Sequence, residues 1–435
     1  MRSNANPLRA KNRERSLMKS IAVIGAGITG VTTAWKLMRR GVDVTLIDAN
    51  PYAAMETSFA NGGQLSASNA EVWNSLGTVF KGMKWMLSSN APLLVNPRPS
   101  WHKYSWMAEF LAQIPHYERN TVQTAKMAVA ARSHLLAMAD EAGLDFNLEK
   151  RGILHVYRDE KSFRTAEKVT TLLAKGGVNR AAVSPMDIRK LEPALQGSLY
   201  AGFYTQDDMT GDIHRFSAGL ADALRSRGVK MRLGERVTKA KVGDHGVDLE
   251  FKGVDAPSIE RFSSVVVCAG VASRDLAAMF GDRVNIYPVK GYSITVNMDD
   301  QASQDAAPWV SLLDDDAKLV TSRLGKNRFR VAGTAEFNGT NKDIRADRIQ
   351  PLIDWTRDLF PGLSTEYVTP WAGLRPMMPN MMPRVGQGRS ERVFYNTGHG
   401  HLGWTLSAVT ADMVAELMVQ RPARAADGLL TAAAA

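Results

Sequence analysis

Between residues 20 and 50 the hydrophobic pattern changes period twice. Ile21-Ala22-Val23-Ile24 is a short unbroken apolar run, as in a strand buried on both faces. After a glycine-rich stretch, Val31 to Arg40 has helical spacing and stops at Gly41, and Val42 to Asp48 is a second strand that closes on an acid. The same periodicity predicts helices at 121–143, 160–175, 214–228, 344–360 and 404–419, and a short strand at 152–158. From Val229 the pattern turns sheet-like, with short strands at 230–233, 236–242 and 246–251 and a buried one from Ser264 that ends in Ala269-Gly270. A second sheet is expected from Asn285 to Val296 and from a hairpin joining 319–323 to 328–334 through Gly325-Lys326-Asn327.

The first forty residues of this pattern carry the strongest chemistry. Gly25-Ala26-Gly27-Ile28-Thr29-Gly30 sits between strand and helix, and Asp48 ends the next strand. In that setting Gly25 permits a tight turn, Gly27 lets the backbone approach a pyrophosphate, and Gly30 packs helix on strand. The helix start presents free amides to phosphate, and Asp48 can accept both hydroxyls of an adenosine ribose. This is a dinucleotide site. The next segment, Glu56 to Gln64, is polar and glycine-bearing rather than another regular strand–helix unit. Thr57, Ser58, Asn61, Gly62 and Gln64 can donate to an extended prosthetic group, which favours FAD over a nicotinamide cofactor. Val237, Ala269 and Gly270 are expected along the same cofactor. The strand Arg392 to Thr397 enters Gly398-His399-Gly400-His401-Leu402-Gly403 and a last helix. No second strand with an acid follows, so this junction is not a second dinucleotide site. Gly398, Gly400 and Gly403 instead aim a helix start at the flavin, where its partial positive charge favours an anionic reduced ring.

Composition narrows the class. The 435 residues are 45% apolar and 23% charged, which suits a globular chain of two or three domains or one interleaved fold. Cys268 is the only cysteine, which excludes an intrachain disulfide and a thiolate metal cluster, and its apolar run reads as inert core. The histidines show no paired metal spacing, so no metal is expected. About half of the net charge of +10 lies in residues 1–19, where Arg2, Arg9, Lys11, Arg13, Arg15 and Lys19 face only Glu14. This polar leader has no apolar core and is not a secretory signal; it reads as an inert tail or a start upstream of a true one at Met18. No recognisable basic module accompanies it, so no nucleic-acid partner is expected. No run of 18 apolar residues exists, and no membrane span is expected. Residues 72–110 hold Trp73, Phe80, Trp85, Trp101, Trp106 and Phe110. They read as helix packed over an active-site cavity, with surface contact to lipid as the alternative.

Tyr287-Pro288-Val289-Lys290-Gly291-Tyr292-Ser293, Gly373-Leu374-Arg375-Pro376 and Thr397-Gly398-His399-Gly400-His401-Leu402-Gly403-Trp404, together with the first glycine loop, Thr57 to Ser66 and Thr210-Gly211-Asp212, resemble the FAD-dependent D-amino acid dehydrogenase small-subunit family. That family lies within the wider group of D-amino acid, glycine and sarcosine oxidases, and the resemblance spans nearly the whole chain after the leader. It implies an α/β plus α+β fold, with a Rossmann-like FAD-binding domain interleaved with a mixed-sheet substrate domain. The expected partition is a disordered leader at 1–17, cofactor parts at 18–95, 186–284 and 371–425, substrate and helical parts at 96–185 and 285–370, and a tail at 426–435.

The resemblance also implies oxidative deamination of amino acids, with electrons passed to a respiratory acceptor, a quinone or electron carrier. The protein would then be cytoplasmic, at the inner face of the cell membrane. Gly62-Gly63 departs from the family's usual Asn-Ala-Gly, and His214 and Arg215 depart after the Thr-Gly-Asp turn; either leaves open a substrate other than D-alanine. Cys268 is poorly placed for covalent attachment, so FAD is expected to be non-covalent. Arg375 is expected to clamp the substrate carboxylate in a bidentate fork. Tyr292 is expected to add a phenolic hydrogen bond to it, and His399 to contact or tune the flavin. Two alternatives stay open: an enzyme for glycine, sarcosine or proline-like amines, and a non-catalytic FAD-binding subunit.

Overall fold

The computed structural model describes residues 20–85, 92–253 and 256–419. The expected leader at 1–17 and tail at 426–435 lie outside the described residues.

Ser20–Ile24 forms the centre of a six-stranded sheet, flanked in parallel by Asp43–Asp48 and Ser264–Val267. The sheet extends through Lys230–Leu233 on one side and Val393–Thr397 on the other, both parallel, and ends in antiparallel Arg384–Gln387. Parallel neighbours need crossover connections, and here the crossovers are long enough to hold a second body. Helix Ile28–Arg39 covers one face, burying Val31, Ala34, Trp35 and Leu37 with Phe216, Leu220 and Trp404 in one core. Helix Gly403–Val419 packs beside it so closely that Thr32 Oγ1 donates to Ser407 O at 3.3 Å. With its preceding turn this last helix is long and apolar enough to cross a membrane, but most of it is buried in that core, which accounts for its composition. An antiparallel three-stranded sheet, Arg236–Gly243, Gly246–Lys252 and Ser258–Phe262, covers the other side.

The second body is a mixed nine-stranded sheet. Tyr287–Asn297 pairs antiparallel with Val368–Met377 along its length and with Arg328–Phe337. Leu319–Arg323, Ser311–Asp314 and Ile153–Tyr157 continue the sheet. Residues of Tyr287–Asn297 alternate between faces as a strand must: Tyr287 and Val289 join one cluster, while Tyr292, Ile294 and Val296 pack with helix Ala346–Leu359 in another.

Two segments sit elsewhere than expected. Ala201–Thr205 pairs with Ile153–Tyr157 and Ala181–Val183, which puts it in the large sheet rather than in a cofactor part beginning at 186. Trp371–Met377 belongs to that sheet too, rather than opening a third cofactor part. Both segments carry glycine or proline, which weaken the local strand signal; long-range pairing makes them strands. Residues 72–110 hold helix Leu76–Trp85, the start of helix Trp101–Ala112, and a short strand, Leu93–Val95, that pairs with Arg328–Phe337; 86–91 lie outside the described residues.

Candidate functional site

A single cleft of about 1080 Å³ runs between the two sheets, from the glycine loop past Asp48 to Arg375 and beyond. Its size exceeds the roughly 300–1,000 Å³ of ordinary small-molecule sites, as an extended dinucleotide together with a substrate requires.

At one end the chain cannot carry side chains. Gly25 has φ +112°, and a Cβ there would lie 2.6 Å from Cys268 O; a Cβ on Gly30 would lie 1.7 Å from Gly25 O. Gly27 differs. Its φ of −75° suits any residue, and a Cβ would meet only Ser58 Oγ, at 3.3 Å. Gly27 therefore keeps the helix N-terminus open towards the cleft, while Gly25 and Gly30 make the turn possible. Ile28 N donates to Ser58 Oγ at 2.9 Å. Asp48 Oδ2 accepts from Ala26 N at 2.6 Å and keeps a lone pair for a ribose hydroxyl, while Oδ1 accepts from Asn50 N at 2.8 Å and Asn50 Nδ2 at 3.1 Å. Burial raises its carboxyl pKa, against the lowering effect of those two amides. Glu235 N binds Asp48 O at 3.0 Å and brings Val237 to the same end of the cleft.

The polar loop lines the middle. Thr57 Oγ1 donates to Leu374 O at 2.8 Å, so it ties the loop to the Arg375 strand. Asn61 Oδ1 accepts from Gly63 N, and a Cβ at Gly62 would lie 2.5 Å from Val320 Cγ2. The Gly62-Gly63 departure thus matches a close approach to the large sheet. Gln64 Nε2 donates to Ser311 Oγ at 2.8 Å, which leaves its buried Oε1 without a hydrogen-bond partner. Ala269 and Gly270 line the cleft beside the first glycine loop, and Gly270 has φ +54°. Gly398 and Gly400 also have positive φ, and Gly403 starts the last helix. These residues fit a dinucleotide. The glycine cradle, Asp48 and the orphaned polar atoms Gln64 Oε1, Thr334 Oγ1 and Trp404 Nε1 all border one cavity.

Arg375 stands where the cleft meets the large sheet. Its guanidinium lies across Gly291, where a Cβ would be 2.4 Å from Nη1 and Nη2. Nη1 donates to Thr334 O at 2.9 Å and Nη2 reaches Gly333 O at 3.5 Å. Among the described residues no carboxylate pairs with it. Burial without an acid to offset it pushes its pKa down to about 10. A desolvated, unpaired guanidinium is a site for a carboxylate.

Two expected catalytic side chains, Tyr292 and His399, have partners within the protein. The Tyr292 hydroxyl donates to Glu336 Oε2 at 2.6 Å in a buried cluster with Lys290, whose Nζ is 3.2 Å from Glu336 Oε1. Strand alternation directs Tyr292 to the helix side of the sheet, so its hydroxyl is not free for a substrate. His399 Nε2 shares a hydrogen bond with Thr410 Oγ1 at 2.9 Å, and burial pushes its pKa down to about 3. It is a neutral ring holding the last glycine turn against the last helix. His401, its neighbour, bonds Asn69 O at 3.1 Å and stacks on Trp73 with ring centroids 4.9 Å apart. His214 packs edge-on against Phe59, and Arg215 bonds Asn147; neither lines the cleft.

A polar cluster in the cleft had no signal in local pattern. Asp315 and Lys318 occupy the turn between Ser311–Asp314 and Leu319–Arg323; His155, Tyr157, Arg180 and Glu71 surround them. Only the three successive acids Asp314-Asp315-Asp316, unusual for a hairpin tip, could have marked it.

Residues 20–417 match the family described as FAD dependent oxidoreductase. The D-amino acid dehydrogenase 3 of Mesorhizobium japonicum is 59% identical over 402 residues, covering 92% of this chain and 97% of that one. The D-amino acid dehydrogenase of Dechloromonas aromatica is 39% identical over 410 residues, again 92% and 97%. Among solved structures, the glycine oxidase of Geobacillus kaustophilus superposes with a TM-score of 0.73 at 20% identity, covering 92% of this chain and 95% of that one.

Proposed function

The chain belongs to the family of FAD-dependent oxidoreductases, and from that premise we propose that it oxidises the Cα–N bond of D-amino acids, giving 2-oxo acids and ammonia. The observation that carries this reading is Arg375, a half-buried guanidinium without an acidic partner among the described residues, in the same cleft as the glycine loop. The D-configuration and the amino acid class rest on the names of the relatives that are 59% and 39% identical.

When bound, FAD supplies a ring that accepts the hydride from Cα. The glycine loop, Ser58, Asp48 and Gly270 would hold the dinucleotide, and the turn from Gly398 to Gly403 would face its ring. The protein's share of the chemistry is placement. Arg375 has at least three N–H groups beyond the two held by Thr334 and Gly333, enough for a bidentate hold on a carboxylate. That hold fixes the Cα hydrogen relative to the ring. The amine must be neutral, so that its lone pair can become the C=N bond as the hydride leaves. A desolvated cleft favours the neutral amine, so no base is required, and Tyr292 and His399 need no direct part. Water then hydrolyses the imine.

The same proposal makes FAD non-covalent: Cys268 is buried, its Sγ lies 3.7 Å from Thr33 Oγ1, and burial pushes its thiol up to about 12. Electrons leave to a quinone or electron carrier, at the inner face of the cell membrane. Exposed Leu76, Phe80 and Trp101, the last 84% exposed, on the helices near the cleft mouth support this. Turnover of D-amino acids measured in air and with a soluble quinone tests both parts. Formation of 2-oxo acid that depends on the quinone is expected. Hydrogen peroxide at a matching rate without quinone would make the protein an oxidase, and oxidation confined to N-substituted or proline-like amino acids would replace the substrate class.

A further inference from the structure

The carbonyls that hold Arg375 also fix what lies next to it. Thr334 sits on strand Arg328–Phe337, and the neighbouring strand pairs Leu319 with Gly333. Thr334 N reaches Lys318 O at 3.4 Å. Lys318 is therefore one strand away from the guanidinium's anchor, a spacing of about 5 Å. A substrate held by its carboxylate at Arg375 has this turn within reach.

The turn is built rather than loose. Asp314 Oδ1 accepts from the amides of Asp316 at 3.1 Å and Ala317 at 2.9 Å, and Lys318 has φ +56°. Lys318 Nζ is 3.3 Å from Asp315 Oδ1. Asp315 Oδ2 takes the Tyr157 hydroxyl at 2.7 Å and lies 3.7 Å from His155 Nδ1. Arg180 Nη2 donates to the same hydroxyl at 3.2 Å. Arg180 is only 8% exposed, forms no ion pair with a carboxylate among the described residues, and its buried Nε has no hydrogen-bond partner. His155, Tyr157, Arg180, Asp315 and Lys318 line the cleft that holds Arg375.

The wall carries charges of both signs, and its spare donors lie on Lys318. Both Asp315 oxygens are engaged, and Glu71 takes the Tyr117 hydroxyl at 2.6 Å. Lys318 keeps N–H groups beyond the one directed at Asp315, and Arg180 sets a second positive charge in the same wall. An aliphatic side chain seated here would strip water from the half-exposed Lys318 ammonium without replacing it, which is costly; an oxygen acceptor would take that water's place. We propose that the Asp315–Lys318 turn and Arg180 form the side-chain subsite, selecting amino acids whose side chain carries an oxygen acceptor (hydroxyl, carboxamide or carboxylate) over aliphatic ones. This rests on the amino acid oxidation reading.

The test uses near-isosteric pairs on the FAD-loaded enzyme: D-leucine against D-asparagine and D-aspartate, and D-2-aminobutyrate against D-serine. At least one oxygen-bearing member should exceed its aliphatic isostere in kcat/KM by about tenfold or more, as expected where a site's hydrogen-bonding groups would otherwise go unpaired. Which member does so identifies the acceptor. Lys318→Met, at an exposed position, and Arg180→Met should each bring that ratio towards one; the ratio is the readout because a general loss of activity affects both members. Ratios near one, or favouring the aliphatic member, overturn the subsite. If none of the amino acids turns over, the oxidation reading fails by itself. Calorimetric titration with 4-methylpentanoate, succinamate and succinate then decides the subsite: tighter binding of an oxygen-bearing acid, lost in Lys318→Met, supports it, and equal or weaker binding refutes it.

Discussion

Thr334 is a β-branched residue at φ +56°, a conformation that costs about 1–3 kcal/mol. Its carbonyl holds Arg375 Nη1, and its buried hydroxyl has no hydrogen-bond partner. Thr334→Gly removes both the strain and the hydroxyl. We expect a thermal midpoint at least equal to the parent's but a higher KM for amino acids; unchanged KM would show that the strained turn does not serve Arg375. Arg375→Met should lower kcat/KM by about 10²-fold or more, the value of a charged bidentate hydrogen bond, while the bound-flavin spectrum persists. The guanidinium pKa near 10 adds a pH signature. Carboxylate binding needs the protonated form, so affinity for a non-reacting carboxylate should hold below pH 10 and fall above it. His399 works in the opposite range. Its folded-state pKa is near 3, against 6.5 for the unreacted side chain, so between those values the unfolded chain takes up a proton that the folded chain refuses. Stability should fall with pH from about 6.5 to 3, by up to about 1.4 kcal/mol per unit for this histidine. His399→Gln should flatten that loss, and an unchanged acid-denaturation profile would contradict the assigned burial.

Among the elements, the glycine loop separates folding from binding. Gly30→Ala would drive a Cβ into Gly25 O and should prevent folding, whereas Gly27→Ala meets only Ser58 Oγ. The Gly27→Ala protein should be folded and melt near the parent's temperature without FAD, yet bind FAD more weakly. Equal affinity in flavin titration would remove Gly27 from the site. This element was legible because its information is local: a strand, three glycines, a helix and an acid at fixed spacing. Arg375 was legible as a residue type set between glycine and proline. Tyr292 was not, because a one-residue step along a strand reverses the face, and only the packing of helix Ala346–Leu359 decides which face is covered. His399 resembled a flavin contact because its flanking glycines are visible in sequence, while Thr410, its hydrogen-bond partner, lies about two turns into the next helix.

For the whole molecule, the two-sheet arrangement follows from how the chain returns. The cofactor sheet was traceable from its apolar runs at Ile21, Val42 and Ser264. The large sheet was only partly so. Its strands at 201–205 and 371–377 are held by partners distant in sequence, Ile153–Tyr157 and Ala181–Val183 for the first and Tyr287–Asn297 for the second, and proline or glycine disguises them locally. The cluster at Asp315 and Lys318 escaped for the same reason, since sheet order alone brings His155 and Tyr157 beside that hairpin. Enclosing the cleft between the sheets joins a cofactor cradle to a carboxylate anchor, and that conjunction is the central claim. The most direct measurement is the visible spectrum of the purified protein, recorded anaerobically before and after adding D-amino acids, their L-forms and N-substituted analogues, for the parent and for Arg375→Met. A yellow flavin spectrum bleached by D-amino acids but not by L-forms, with bleaching lost in the variant, is the predicted result. A flavin spectrum indifferent to the whole panel, or one bleached equally well without Arg375, would contradict the account.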